Sequence, residues 1–242
     1  MNPILLIPAR MASTRLPGKP LADIGGVPMI VRVWRQAVLA GLGPVVVAAG
    51  EAEVAAAIRQ AGGQAVLTDP DLPSGSDRIW AALQAADPAG AHDVVVNLQG
   101  DLPALDPGAI RAVTAALAAS GADIATLAAP IDNDADRQNP AVVKAVCAWN
   151  GDETLGRALY FTRATAPTGP GTLWHHVGLY AYRRAALARF VALPPSPLEQ
   201  REKLEQLRAL EAGLHIAVAR VDAPPLSVDT PADLERARKH LS

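Results

Sequence analysis

The sequence predicts an α/β fold in which a mixed, mainly parallel sheet carries helices on both faces. Two observations lead there. The first half of the chain alternates short apolar runs with stretches of helical periodicity, and strands alternating with helices of this length favour parallel pairing. Within Pro28 to Ala40, residues Met29, Ile30, Val33, Trp34, Ala37 and Val38 recur at helical spacing and mark one buried face. At 242 residues the chain can bury a sizeable core without staples.

The elements follow in order. "ILLI" at residues 4–7 reads as a short buried strand, and the loop after it holds Pro8, Pro17 and Pro20, which bar both a helix and a ladder strand. The helix from Pro28 to Ala40 follows. Then come a strand "VVVAA" from Val45, a helix from Ala52 to Ala61, a strand "AVL" from Ala65, a helix from Ser76 to Ala86 and a strand "VVVNL" from Val94. From about residue 130 the pattern is less regular, with strands in "VVKAVCAW" and "HHVGLYAY" and a loop "TAPTGPGT" between them. No linker bounds this part, so residues 1–242 read as a single domain with a smaller lobe inserted at about 130–200. Two late helices begin with a hydroxyl cap, a first-turn proline and an acid three residues after the cap, at Ser196 to Glu199 and Thr230 to Asp233.

Composition excludes several classes. The 22 Lys and Arg against 24 Asp and Glu argue against a protein whose main partner is nucleic acid or an anionic membrane. The single cysteine, Cys147, forms no internal disulfide and reads as a buried, inert thiol in a strand. The apolar run before Pro8 is only four residues long and no cationic leader accompanies it, so no signal peptide is expected, and no apolar run in the chain approaches membrane-spanning length. A cytoplasmic protein is the expectation.

In parallel sheets ligands bind at the carboxyl ends of the strands. The loop hanging from the first strand, "ARMASTRLPGKP", gathers Arg10, Arg15 and Lys19 there. Arginine forks and a lysine point charge suit a polyphosphate, and the same cations equally suit a solvated loop. Lys19 is not a P-loop lysine, because that motif needs glycine where Ser13 stands and Ser or Thr where Pro20 stands. Neither "GG" at 25 nor "GLG" at 41 supplies a dinucleotide fingerprint. Asp101, just past "VVVNLQ", and Asp229, beyond "VARVD" at a strand-to-helix junction, are the best placed acids for Mg²⁺, although each alone also suits a turn or a cap.

The segments "IPARMASTRLPGKPLADIGGVPMI", "SGSDR", "VNLQGDLP", "NPAVVK", "ALYFTRATAP", "HHVGLYAYR", "PSPLEQREKLEQLRAL" and "VDTPADLERAR" occur in one order and run nearly end to end. In them the chain resembles the 3-deoxy-manno-octulosonate cytidylyltransferases, the CMP-Kdo synthetases of lipopolysaccharide assembly. The resemblance implies a Rossmann-like nucleotide-diphospho-sugar transferase fold with a smaller lobe that pairs in a homodimer. It implies the reaction of CTP with Kdo to give CMP-Kdo and pyrophosphate, with Mg²⁺. By the same resemblance Ala9, Arg10, Arg15, Lys19, Ser76 and Arg78 bind the nucleotide, Asp101 and Asp229 hold the metal, and Arg15, Lys19, Asp101 and Asp229 carry catalysis. Gln99, Arg163, His176, Tyr180, Glu205 and Gln206 match the sugar-acid pocket; without the resemblance they read as core or solvated-face residues.

The chain departs from the family pattern at Gly50 and Leu102, where acids are usual, and at Asp77, which replaces glutamate. The loop "APTGPGT" is short. These changes touch the shape of the pocket, so a cytidylyltransferase for another sugar acid is the nearest rival. A noncatalytic CTP-binding subunit is a further one, and a nicotinamide-dependent dehydrogenase would need the missing glycine fingerprint.

Overall fold

Ile4 to Ile7 have almost no exposed surface, and they form the middle of β1 (Pro3–Ala9), the strand on which the first part of the molecule is built. A 3₁₀ turn at Lys19–Leu21 interrupts the loop after it, where the prolines predicted no helical structure. Next come β2 (Asp23–Ile24), β3 (Val27–Pro28), α1 (Met29–Leu39), β4 (Val45–Ala49), α2 (Ala52–Gln60), β5 (Gln64–Leu67), α3 (Gly75–Ala86), β6 (Val94–Asn97) and α4 (Pro107–Ser120). Each strand and helix expected between residues 4 and 97 is present, with ends shifted by one or two residues. The glycine pair at 25 makes the turn between β2 and β3: Gly25 and Gly26 both take positive φ, 57° and 76°, which a tight hairpin turn requires.

The chain continues with β7 (Ile124–Pro130), α5 (Asp134–Gln138), β8 (Lys144–Trp149), β9 (Leu155–Thr162), β10 (Trp174–Arg183), α6 (Arg184–Ala192), α7 (Pro197–Glu202), α8 (Gln206–Glu211) and β11 (Ile216–Arg220), and ends in α9 (Pro231–Leu241). The structure, a computed structural model, describes residues 1–13 and 15–241. It divides into two units, Met1–Arg111 with Pro225–Ser242, and Ala112–Pro224. Among the described residues no helix is long and apolar enough to cross a membrane.

In the first unit the larger set of strands has the order β5-β4-β1-β6, and each pairing in that order is parallel, with Leu5 opposite Val45 and Val96. The carboxyl ends Ala9, Ala49, Leu67 and Asn97 therefore share one edge. The C-terminal segment folds back onto this unit: Val228, Leu234 and Ala237 pack with Ile24 and Met29 in one apolar cluster.

The second unit extends on both sides of the 130–200 stretch expected for the lobe, because β7 and β11 complete its sheet. Its strands pair in a ring, β10-β7-β11-β9-β8 and back to β10, antiparallel except for β7 with β11. The ring closes where His176 N–H donates to the Val143 carbonyl at 2.8 Å, beside the register pair His175 and Lys144. Lys144 is fully buried and donates to the Asn139 carbonyl at 2.7 Å; burial lowers its pKa, and Asp136 opposes that shift.

Both sequence-read helix starts are present. Ser196 and Glu199 form a reciprocal capping box on α7, and at α9 Thr230 N–H donates to Asp233 Oδ2 at 2.8 Å while Asp233 N–H donates to Thr230 Oγ1 at 3.2 Å. Because α9 is held mainly by its apolar cluster, Leu234→Ala should lower unfolding stability by about 2–5 kcal/mol. Urea denaturation followed by circular dichroism measures this, and an unchanged midpoint would contradict the packing described.

Candidate active site

The loops leaving the shared carboxyl edge of the first unit enclose a cleft of about 410 Å³, lined among others by Ala9, Arg10, Arg15 and Lys19. The loop between β1 and Lys19 is anchored at several points. Met11 N–H donates to Glu51 Oε2 at 2.9 Å, Gly18 N–H to the Met11 carbonyl at 3.3 Å, and Leu16 N–H to Ser13 Oγ at 3.3 Å. Such anchoring reduces the entropy lost when the loop grips a ligand.

At the floor of the cleft Lys19 Nζ donates to Asp101 Oδ2 at 2.7 Å and to Asp229 Oδ1 at 2.9 Å, and Arg15 Nη2 lies 3.1 Å from the same Asp229 oxygen. The Lys19 side chain is 14% exposed, against 65% for Arg15, so the lysine is the inner cation of the site. Asp101 reaches this point because Gly100 precedes it: a Cβ at Gly100 would lie 2.8 Å from the Pro8 carbonyl oxygen, so only glycine lets the turn close on β1.

Asp229 arrives by a different route from the strand end that the sequence predicted. β11 ends at Arg220, in the second unit, and an irregular stretch intervenes before α9. What presents Asp229 is the α9 cap together with Val228 N–H, which donates to the Asp101 carbonyl at 3.0 Å. The two acids expected as metal ligands are thus tied together through both backbone and side chains.

Among the described residues no group of three or more His, Cys, Asp or Glu forms a metal cage. Two carboxylates converging on one ammonium nevertheless fit a hard divalent cation such as Mg²⁺, which takes one or two carboxylates and completes its shell with water and substrate phosphates.

α3 opens on the same cleft. Ser74 caps it, accepting from Asp77 N–H at 3.1 Å and donating to Asp77 Oδ2 at 2.7 Å, so the shorter acid at 77 still closes the cap. Ser74 and Gly75 line the cleft, where the first-turn amides of a helix favour anions, whereas Ser76 is buried and is not among the lining residues. The sequence reading missed Ser74 and Gly75, although the cap pattern in "SGSD" signals a helix start.

Arg78 lines the cleft as well, but its guanidinium is engaged. Nη1 donates to Thr68 Oγ1 at 2.7 Å and to the Asp69 carbonyl at 3.0 Å, and Nη2 to the Pro70 carbonyl at 3.0 Å. It therefore braces the loop after β5. Gly50 explains why the partners are neutral: a Cβ there would come within 3.2 Å of Nη1, and no carboxylate grows from that position in this chain. Burial lowers the Arg78 pKa, as does Arg10, while Glu51 and Asp69 act in the other direction.

Gln99 lines the same cleft; Arg163, His176, Tyr180, Glu205 and Gln206 belong to the second unit. His176 is buried, and both its ring nitrogens face protein partners: Nε2 is 3.0 Å from Thr126 Oγ1 and Nδ1 is 3.5 Å from Gln206 Nε2. The Gln206 amide nitrogen is a donor, so Nδ1 accepts and the proton sits on Nε2. The ring also packs against Phe161 and Tyr180, at 4.7 and 5.6 Å between centroids. Burial pushes the Tyr180 hydroxyl well above its ordinary pKa, so it stays a neutral phenol.

Arg163 donates from Nε to the Glu202 carbonyl at 2.8 Å and from Nη1 to the Pro140 carbonyl at 3.0 Å, and its own N–H donates to Glu202 Oε2 at 2.9 Å. Glu202 also accepts from Thr162 Oγ1 at 2.7 Å. Burial works against the Glu202 anion, but the Arg163 amide and the Thr162 hydroxyl hold its pKa below the usual carboxylate value. Sequence reasoning passed over Glu202, because its partners lie about forty residues away and no local pattern announces them. Cys147 is half-buried rather than buried as expected, and desolvation pushes its thiol up to about 12, which disfavours the reactive thiolate.

A family model described as "Cytidylyltransferase" matches residues 4–216. A protein of Parvibaculum lavamentivorans named 3-deoxy-manno-octulosonate cytidylyltransferase is 68% identical, covering 100% of this chain and 93% of its own. One of the same name from Rhodospirillum rubrum is 65% identical, covering 99% and 95%. A solved structure described as CMP:2-keto-3-deoxy-manno-octonic acid synthetase complexed with CTP superposes with a TM-score of 0.91 at 38% identity, over 100% of this chain and 98% of that one. A nucleotidyl transferase of Methanothermobacter shares the fold, with a TM-score of 0.65 at 17% identity over 98% and 96%.

His176 supplies a test of the second unit. Burial, helped by His175, lowers its pKa from 6.5 to about 3. Above pH 6.5 the ring is neutral in both folded and unfolded chains; below it the unfolded chain takes a proton that the folded one refuses. Its contribution to stability is therefore lost as pH falls from 6.5 toward 3, by about 1.4 kcal/mol per pH unit. Nitrogen-15 NMR at pH 5 should find His176 neutral with the proton on Nε2, and an imidazolium signal there would contradict the burial.

Proposed function

The chain belongs to the cytidylyltransferase family, and from that premise we propose that it activates Kdo by the reaction CTP + Kdo → CMP-Kdo + pyrophosphate. The observation that carries this reading is the cleft of the first unit, where Arg10, Arg15 and Lys19 line one space with Asp101 and Asp229. Three cations complement a triphosphate, and the two acids complement the cation that travels with it. The relatives named for this reaction match nearly the whole chain, and the solved structure complexed with CTP aligns over all of it.

In the reading, the anomeric hydroxyl of the sugar acid attacks the α-phosphorus, the bond from the α-phosphorus to the bridging oxygen breaks, and pyrophosphate leaves while the hydroxyl proton passes to water. Arg15 and Lys19 stabilise the departing pyrophosphate, whose charge grows as the bond breaks. The amides at the start of α3 offer further donors to the phosphates. Asp101 and Asp229 would hold Mg²⁺, which when bound supplies positive charge to the phosphates and lowers the barrier to attack. Arg78 contributes by holding residues 68–70 of the loop whose Leu72 and Ser74 line the cleft.

Arg163, His176, Tyr180, Glu205 and Gln206, with Gln99 of the first unit, are assigned to the sugar acid by resemblance. In support, Arg163 is fixed in place by Glu202 and by backbone carbonyls, and a preset arginine suits a carboxylate. A neutral His176 and a neutral Tyr180 suit a substrate of many hydroxyls, because neither adds an unpaired charge. The finer fold assignment belongs to the same reading: a Rossmann-like nucleotide-diphospho-sugar transferase sheet, supported by the parallel β5-β4-β1-β6 arrangement, and a dimerisation lobe in the second unit that pairs as a homodimer. A cytoplasmic location is part of it too, since one free cysteine asks for no oxidising compartment.

Pyrophosphate release with CTP and Mg²⁺ should depend on Kdo and yield CMP-Kdo by mass detection; release without Kdo, or none with it, would overturn the substrate assignment. Asp101→Asn should lower turnover by about 100-fold or more while leaving the thermal midpoint within a few degrees. Near-normal rates in that variant would remove Asp101 from the machinery.

A further inference from the structure

Lys19 has a geometry unlike that of a ligand waiting for phosphate. Its Nζ lies within hydrogen-bond distance of oxygens from both proposed metal-binding acids, 2.7 Å from Asp101 and 2.9 Å from Asp229, and the side chain is largely withdrawn from solvent. The ammonium thus stands where the two carboxylates converge and serves as their counter-cation. Two acids held side by side without a cation would repel each other across a partly dehydrated gap, so the lysine stabilises their convergence. Arg15 differs: it touches only Asp229 and its side chain is mostly exposed.

We propose that Lys19 guards the carboxylate pair, excluding a divalent cation until a triphosphate draws the ammonium away. This rests on the function proposed above and adds a second role for the same residue. One ammonium cannot serve both partners at full strength. Without nucleotide it neutralises Asp101 and Asp229; with nucleotide the phosphates, which carry more negative charge, compete for it, and the acids are released to a cation arriving with the triphosphate. The short, stiff attachment of Lys19 favours such an exchange. The residue opens the 3₁₀ turn beside buried Pro20, so its backbone stays fixed while the flexible four-carbon stem reorients. The consequence is an ordered use of the site in which free metal binds weakly and nucleotide and metal enter together.

The test reads binding of Mn²⁺, a paramagnetic stand-in, by electron paramagnetic resonance without sugar acid, so that no turnover occurs. In the absence of nucleotide Lys19→Met should tighten Mn²⁺ binding by about tenfold or more, because it removes the competing charge from between the acids. Arg15→Met, which removes a cation from the rim, should tighten it by less than about threefold, as expected for an exposed charge. Unchanged Mn²⁺ affinity in Lys19→Met overturns the proposal, and so does equal tightening in both variants, which would mark a general charge effect. Lys19→Gln answers the same question with a polar tip should the methionine variant fail to fold. Protein-bound Mn²⁺ in the presence of CTP should also disappear in Asp101→Asn. If it persists there, the metal assignment itself fails and the guard with it; if it disappears while Lys19→Met binds no tighter than wild type, only the guard is lost.

Discussion

The contact on which the cleft depends is the junction of Lys19 with Asp101 and Asp229, which joins residues 82 and 210 positions apart in sequence. Bringing two carboxylates together costs Coulomb energy that only a cation can offset, and in a partly buried site that cation has to be placed accurately. The local devices around it serve this placement. Gly100 lets the turn after β6 close on Pro8, the cap at Thr230 and Asp233 sets Asp229, and Val228 ties both acids through the Asp101 carbonyl. The apolar cluster under α9 supplies the burial that keeps the returning C-terminal segment in place.

This arrangement follows from the parallel sheet. Parallel strands put all their carboxyl ends on one edge, so the loops after β1, β5 and β6, unrelated in sequence, converge on one cleft. The first loop supplies cations, the loop after β6 supplies Asp101, and the start of α3 supplies helix amides. The loop after β5 contributes no charge of its own to the phosphates. Arg78, which lines the cleft, also donates to that loop at Thr68, Asp69 and Pro70 and so fixes its position.

The parts legible in the sequence were those whose cause is local. Helical spacing in Pro28 to Ala40 and the runs at Ile4, Val45 and Val94 mark elements because periodicity and burial are written into neighbouring residues. The capping signals at Ser196 and Thr230 are local in the same way. Less legible was anything set by distant pairing. The ring in the second unit closes through His176 and Val143, and the parallel pairing of β7 with β11 joins strands far apart in the chain, so the lobe extended beyond the expected 130–200. Asp229 was found as a candidate for the right neighbourhood but by the wrong route, since β11 belongs to the other unit. The role of Glu202 depends on partners about forty residues away that only the fold brings to it, whereas Arg78 bonds a loop eight to ten residues upstream, two of whose three acceptors are backbone carbonyls that carry no sequence signal.

In the proposed function the first unit holds a nucleotide by its phosphates, with the cations of one stiff loop as the grip. The most direct measurement is calorimetric titration of the protein with CTP, CDP and cytidine at constant Mg²⁺ and constant ionic strength. Affinity should fall with each phosphate removed and cytidine should bind weakest, and when the series is repeated at higher salt the loss should shrink as the loop's charges are screened. Equal affinity for CTP and cytidine would contradict it, because the cleft would then be reading the base and sugar while Arg10, Arg15 and Lys19 played no part in holding the ligand.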